Sequence, residues 1–199
     1  MEVENFVEYL FSKTYKSVFE KKKYSELILK AYRLTELDYL YHHPNKENLF
    51  GHIKSNNGWL VTFLYRLGNV IFKENSQDML LTEIHWIMKE VCSCEIYYSI
   101  DIGEGLYVRH GAGAVIGSRC VIGKGLIIHQ NCTIGHKVFM GNGPSIGNDV
   151  EMGAGSKILG EISIGNKVIV AANAVVLNNI SENSIVAGIP AIHKKVNTR

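Results

Sequence analysis

Over residues 1–94, apolar side chains recur at the three- and four-residue intervals of helices that bury one face. Phe6, Leu10, Phe11, Tyr15 and Val18 form one such series, Leu27, Ala31 and Leu34 a second, and Trp59, Phe63, Leu64 and Leu67 a third. A last segment runs from about residue 79 to residue 91. Three to five helices are predicted, with a loop around residues 42–48, where Pro44 and the polar run Asn45-Lys46-Glu47-Asn48 interrupt the pattern.

From residue 95 onward the interval changes to six. Starting at Ile102, an aliphatic side chain recurs at Val108, then after two extra residues at Ile116, Ile122, Ile128, Ile134, Met140, Ile146, Met152, Ile158, Ile164, Val170 and Val176. Glycine often follows, as in Ile116-Gly117 and Ile164-Gly165, and a small or branched residue stands four positions on, as at Cys120, Cys132, Ser156 and Ala174. A six-residue period describes a short strand with alternating side chains and then a turn that favours glycine or asparagine. Three such strands close a triangular coil, coils stack at roughly 4.8 Å, and the aliphatic column fills the interior. Residues 96–181 supply about five coils, and a glycine-rich β-sandwich would not keep phase over that length.

Composition sharpens the boundary, since only Gly51, Gly58 and Gly68 of the 19 glycines precede residue 102. A small helical region over 1–94 therefore precedes a mainly β domain, a parallel β-helix with a C-terminal tail, over 95–199. With 21 Lys and Arg against 19 Asp and Glu, the formal charge of +2 offers no footprint for nucleic acid or an anionic membrane. A small-molecule substrate is the better default. The apolar stretch 59–72 carries Arg66 and falls short of the roughly 18 residues of an integral membrane segment, so a buried or partner-facing helix is expected. The start Met1-Glu2-Val3-Glu4 is acidic where a signal peptide is basic, which points to a cytoplasmic protein with reduced cysteines. Cys92 and Cys94 have one residue between them where zinc knuckles have two or more, and Cys120 and Cys132 fall at core positions of the repeat.

The repeat resembles that of the hexapeptide-repeat acyltransferases. The resemblance implies a left-handed β-helix assembled as a homotrimer or a dimer of trimers. Within that superfamily three segments are similar to the serine acetyltransferase branch: residues 95–117, which include Val108-Arg109-His110-Gly111-Ala112-Gly113, then Met152-Gly153-Ala154-Gly155, and the closing Ala187-Gly188-Ile189-Pro190-Ala191. In that branch a histidine before Gly/Ala-x-Gly is the general base, and an acidic residue fifteen positions earlier orients it. Those positions hold His110 and Glu95. The chemistry agrees, because a hydroxyl is a poor nucleophile until a base takes its proton, and a carboxylate fixes the imidazole tautomer and stabilises the imidazolium.

The same resemblance implies acetyl-CoA as co-substrate, lying in a groove between neighbouring β-helices. Gly135 would offer a backbone N–H near the thioester, Ala154 and Ala172 would let the pantetheine approach, Lys194 and Lys195 would meet the nucleotide phosphates, and His136 would assist the acceptor or the thioester. Two departures bear on the acceptor. Serine acetyltransferases carry Asp directly before the histidine, where this chain has Arg109, and Gly143 stands where they carry a second histidine in a long loop. The shorter loop and the stretch Tyr65-Arg66-Leu67-Gly68-Asn69 resemble relatives that acetylate surface polysaccharides. A saccharide acceptor contacted by Arg109 is thus expected, with serine acetylation for cysteine biosynthesis and a non-catalytic trimeric scaffold as the alternatives. No metal is expected, since His110, His129 and His136 lack the spacing of zinc-binding β-helix relatives.

Overall fold

The computed structural model describes residues 2–14, 19–45, 48–196 and 198. Five helices open the chain: α1 (Glu2–Phe11), α2 (Lys21–His42), α3 (Leu49–Ser55), α4 (Asn57–Glu74) and α5 (Leu80–Cys92). Tyr15 and Val18, placed in the first helical series, lie outside the described residues. Asparagines start two helices by capping them: Asn48 accepts from the Gly51 N–H at 2.9 Å, and Asn56 from the Gly58 N–H at 2.9 Å. α5 stops at Ser93, whose left-handed backbone returns its N–H to Lys89 O. α4 is buried along its length from Gly58 to Ile71, wrapped by α2, α3 and α5, so the apolar stretch is an internal helix. No described helix is long and apolar enough to cross a membrane.

The remainder is a left-handed parallel β-solenoid of about five turns, built from very short strands. One face stacks β1 (Glu95–Ile96), β3 (Val115–Ile116), β6 (Thr133–Gly135), β9 (Lys157–Leu159) and β12 (Val175–Val176). A second stacks β4 (Val121–Ile122), β7 (Ser145–Ile146) and β10 (Ser163–Ile164). The third runs β2 (Tyr107–Val108), β5 (Ile127–Ile128), β8 (Glu151–Met152), β11 (Ile169–Val170) and β13 (Ser184–Ala187), with β14 (Ile192–Val196) antiparallel at its end. The register repeats from coil to coil: Ile96, Ile116, Ile134, Ile158 and Val176 form one inward column. Each of these side chains is at most 1% exposed, so the aliphatic ladder is the core.

One member of the six-residue series departs from it. Met140 is 65% exposed, in a loop that leaves the solenoid after β6 and returns at β7. The loop is one repeat long, so the phase resumes at Ile146 as though the repeat were unbroken. The four cysteines are buried free thiols. Burial pushes Cys92 and Cys94 up to about 12 and Cys120 to about 11, so these three behave as apolar packing and not as nucleophiles.

A candidate active site at the corner of the solenoid

His110 follows β2 at the corner between the third face and the first. It is exposed and takes φ = 65°. Asn131, Gly155 and Asn173 have positive φ at the regular turn of this corner, where the first coil has Gly113, so His110 takes its left-handed backbone in the two-residue insertion just before that turn. Two extra residues lie at this corner of the first coil: the Asn131 N–H donates to Ala112 O, as the Gly155 N–H does to Gln130 O and the Asn173 N–H to Ala154 O, so Ala112, two residues past His110, heads the column that continues through Gln130, Ala154 and Ala172. At the ordinary interstrand spacing, Ala154 stands roughly 10 Å and Ala172 roughly 14 Å along this column from Ala112. The two alanines leave a low edge beyond Gln130 that an extended ligand could follow. Gln130, which no sequence motif singles out, has a buried side-chain oxygen without a hydrogen-bond partner among the described residues. Lys194 and Lys195 are exposed on β14, at the far end of the same face, roughly 24 Å from β2.

Glu95 opens the first face. Its Oε1 meets His85 Nε2 at 3.0 Å and Lys89 Nζ at 3.3 Å, both on α5, and no hydrogen bond joins it to His110. Its Oε2 has no partner among the described residues. Glu95, Gly135 and His136 come together in a cleft of about 320 Å³ that also includes Tyr97, Thr133 and Leu159. The α-carbon of Gly135 faces open space, since an added Cβ would meet nothing within 4 Å. The site residues thus fall in two groups: His110 with Ala154 and Ala172 on the corner, and Glu95, Gly135 and His136 in the cleft. The spacing of His85 and Lys89, one helical turn apart, marks them as neighbours on α5, but nothing in the sequence names Glu95 as their shared partner.

Arg109 extends over the Tyr107 ring at 5.1 Å, and Tyr107 stacks on Trp59 at 5.0 Å. His129, on the next coil, lies 3.9 Å from Glu151. Burial holds the His129 pKa below the ordinary histidine range, and the nearby charges of Arg109 and His110 add to that. Among the described residues no group of three or more His, Cys, Asp or Glu side chains is arranged to hold a metal ion.

No family model matches the sequence. Serine acetyltransferase 2 of Arabidopsis thaliana is 36% identical over 136 residues, 67% of this chain and 42% of that protein. Among solved structures, the serine acetyltransferase of Neisseria gonorrhoeae gives a TM-score of 0.84 at 22% identity, over 100% of this chain and 80% of that one. The serine acetyltransferase of Brucella abortus strain S19 in complex with coenzyme A gives 0.73 at 24% identity, over 88% and 69%. The likeness to the plant relative supports the hexapeptide-repeat acetyltransferase superfamily, and the two solved structures share the fold. The chain spans about two fifths of the length of the plant relatives it matches.

The expected polysaccharide acceptor is corrected by these relatives, which are serine acetyltransferases. The structure shows why one of its supports was empty. Tyr65, Arg66 and Asn69 bind the backbone of the first coil: Tyr65 Oη donates to Ile100 O, Arg66 to Ile102 O and Gly103 O, and Asn69 to Tyr98 O and Ile100 O. That stretch fastens helix to solenoid and carries no information about an acceptor.

Proposed function

We propose that the chain is a cytoplasmic, acetyl-CoA-dependent serine O-acetyltransferase. The observation that carries this reading is the 36% identity over 136 residues to a serine acetyltransferase. His110 takes the proton from the acceptor hydroxyl, and the alkoxide attacks the thioester carbonyl, expelling the coenzyme thiolate. Glu95, with Oε2 unoccupied, is the carboxylate assigned to steady the imidazolium. Gly135 leaves the backbone open to the thioester, and His136 stands beside it in the cleft. The corner column suits an extended pantetheine, with Ala154 and Ala172 leaving room for it and Lys194 and Lys195 at the distance of the nucleotide phosphates. The Brucella abortus neighbour was solved with coenzyme A bound, which supports coenzyme A as the ligand class. A homotrimer or dimer of trimers belongs to the same reading.

The experiment is release of free coenzyme A thiol by the purified chain supplied with acetyl-CoA and L-serine. Turnover with L-serine is expected, reduced about 10²- to 10⁴-fold in His110→Asn while calorimetric acetyl-CoA affinity is kept. Undiminished turnover in that variant, or none from the unaltered chain, defeats the assignment.

A further inference from the structure

We propose that Arg109 determines acceptor specificity by holding a carboxylate next to the hydroxyl that His110 deprotonates. The inference rests on the acetyltransferase reading and goes beyond it, because it states which group of the acceptor is recognised and by what. Arg109 is half-buried and is held over a fixed platform: the Tyr107 ring beneath it is stacked on Trp59 with the planes 14° apart and meets His43 edge-on at 5.5 Å. Among the described residues no carboxylate pairs with the guanidinium. The groups around it are imidazoles: His42 from α2, His110 on its own corner and His129 from the next coil. Glu151, on β8, already lies against His129.

A positioned guanidinium without a counter-charge is a receptor for an anion, and its planar fork matches a carboxylate in particular. An acceptor ammonium would be repelled from the same place. In L-serine two carbon atoms separate the hydroxyl oxygen from the carboxyl carbon, a span that two consecutive corner residues can serve at once. The coenzyme phosphates do not compete for Arg109 in this arrangement, since the corner column carries them toward β14, away from His110.

The test compares L-serine with L-serinamide, which keeps the hydroxyl and amine but loses the carboxylate, in the unaltered chain and in Arg109→Gln and Arg109→Lys. The unaltered chain is expected to favour L-serine strongly. Arg109→Gln should raise KM for L-serine about 10- to 100-fold, change kcat far less, leave KM for acetyl-CoA unmoved and erase the preference over serinamide. Arg109→Lys should recover part of the loss. The proposal is overturned if serinamide serves the unaltered chain as well as L-serine does, or if Arg109→Gln leaves KM for L-serine unchanged. A change of sedimentation behaviour in Arg109→Gln with unchanged KM overturns it too, assigning the guanidinium to contact with a second copy. None of these three results touches the acetyltransferase reading while turnover with L-serine persists; absence of all turnover in the unaltered chain sinks both that reading and this proposal.

Discussion

His42 ends α2 and places Nε2 2.8 Å from Gly105 O, joining the helices to the first coil. Burial lowers its pKa, with the charges of His43 and Arg109 acting in the same direction and the Gly105 bond and Asp38 opposing them. Because the folded value lies below the unfolded value of about 6.5, the unfolded chain binds more protons as the pH falls through that point. Stability is therefore present in full above about pH 6.5 and declines on acidification until the folded pKa is passed. His129, shifted the same way, adds to the effect. A thermal midpoint lower at pH 5.5 than at pH 7.5 is expected. The drop should shrink in His42→Gln, whose amide can still donate to Gly105 O; an equal drop in that variant would show that His42 does not carry it. Individual side chains were legible to different degrees. His110 and Glu95 stand out through a motif, whereas His42 and His85 act through partners on other elements, which no local pattern encodes, and nothing in the sequence singles out Gln130.

Among the elements, α4 joins the two architectures. Its Arg66 is buried and meets Asp38 of α2 through Nε at 2.7 Å and Nη2 at 2.6 Å, while Asp38 also accepts the N–H groups of Gly105 and Leu106. Burial alone would drive a proton onto Asp38, raising its pKa, and Arg66 opposes this with its charge and hydrogen bonds. The pair satisfies backbone groups of residues 102–106 that the next coil leaves unbonded, while on the other side Ile102 bridges Ile122, the Gly103 N–H donates to Ile122 O and Glu104 O accepts from the Gly125 N–H. Arg66→Met should cost about 3–5 kcal/mol in denaturant unfolding, because it strands a buried carboxylate, and Asp38→Asn in the same chain should recover part of the loss. A cost below about 1 kcal/mol would show that the pair is dispensable. Helix positions and the six-residue period could be read from hydrophobic spacing because burial imposes that spacing locally. The loop containing Met140 escaped that reading, since an insertion one repeat long leaves the phase intact, and only exposure distinguishes it.

The arrangement of the molecule as a stack sets the order in which it opens. Each solenoid coil touches only its neighbours, so a coil's stability depends on what covers its two edges. At the N-terminal end the cover is tight: Gly58 of α4 lies so close to β2 that a Cβ there would stand 1.8 Å from Val108 O, and Trp59 stacks on Tyr107. Only glycine permits that approach. At the other end of the same face, β13 is covered by β14 alone, and all five residues of β14 are exposed. Amide hydrogen exchange should therefore be slowest at β2, β5 and β8 and fastest at β14, with fraying that proceeds inward from the C-terminal edge. The gradient bears on function, because it leaves His110 on the rigid end and Lys194 and Lys195 on the mobile one. Acetyl-CoA bound along the corner column would span both, so adding it should slow exchange at β14 more than at β2. Protection of β14 equal to that of β8 without ligand would refute the gradient, and a ligand effect confined to β2 would refute the path assigned to the coenzyme.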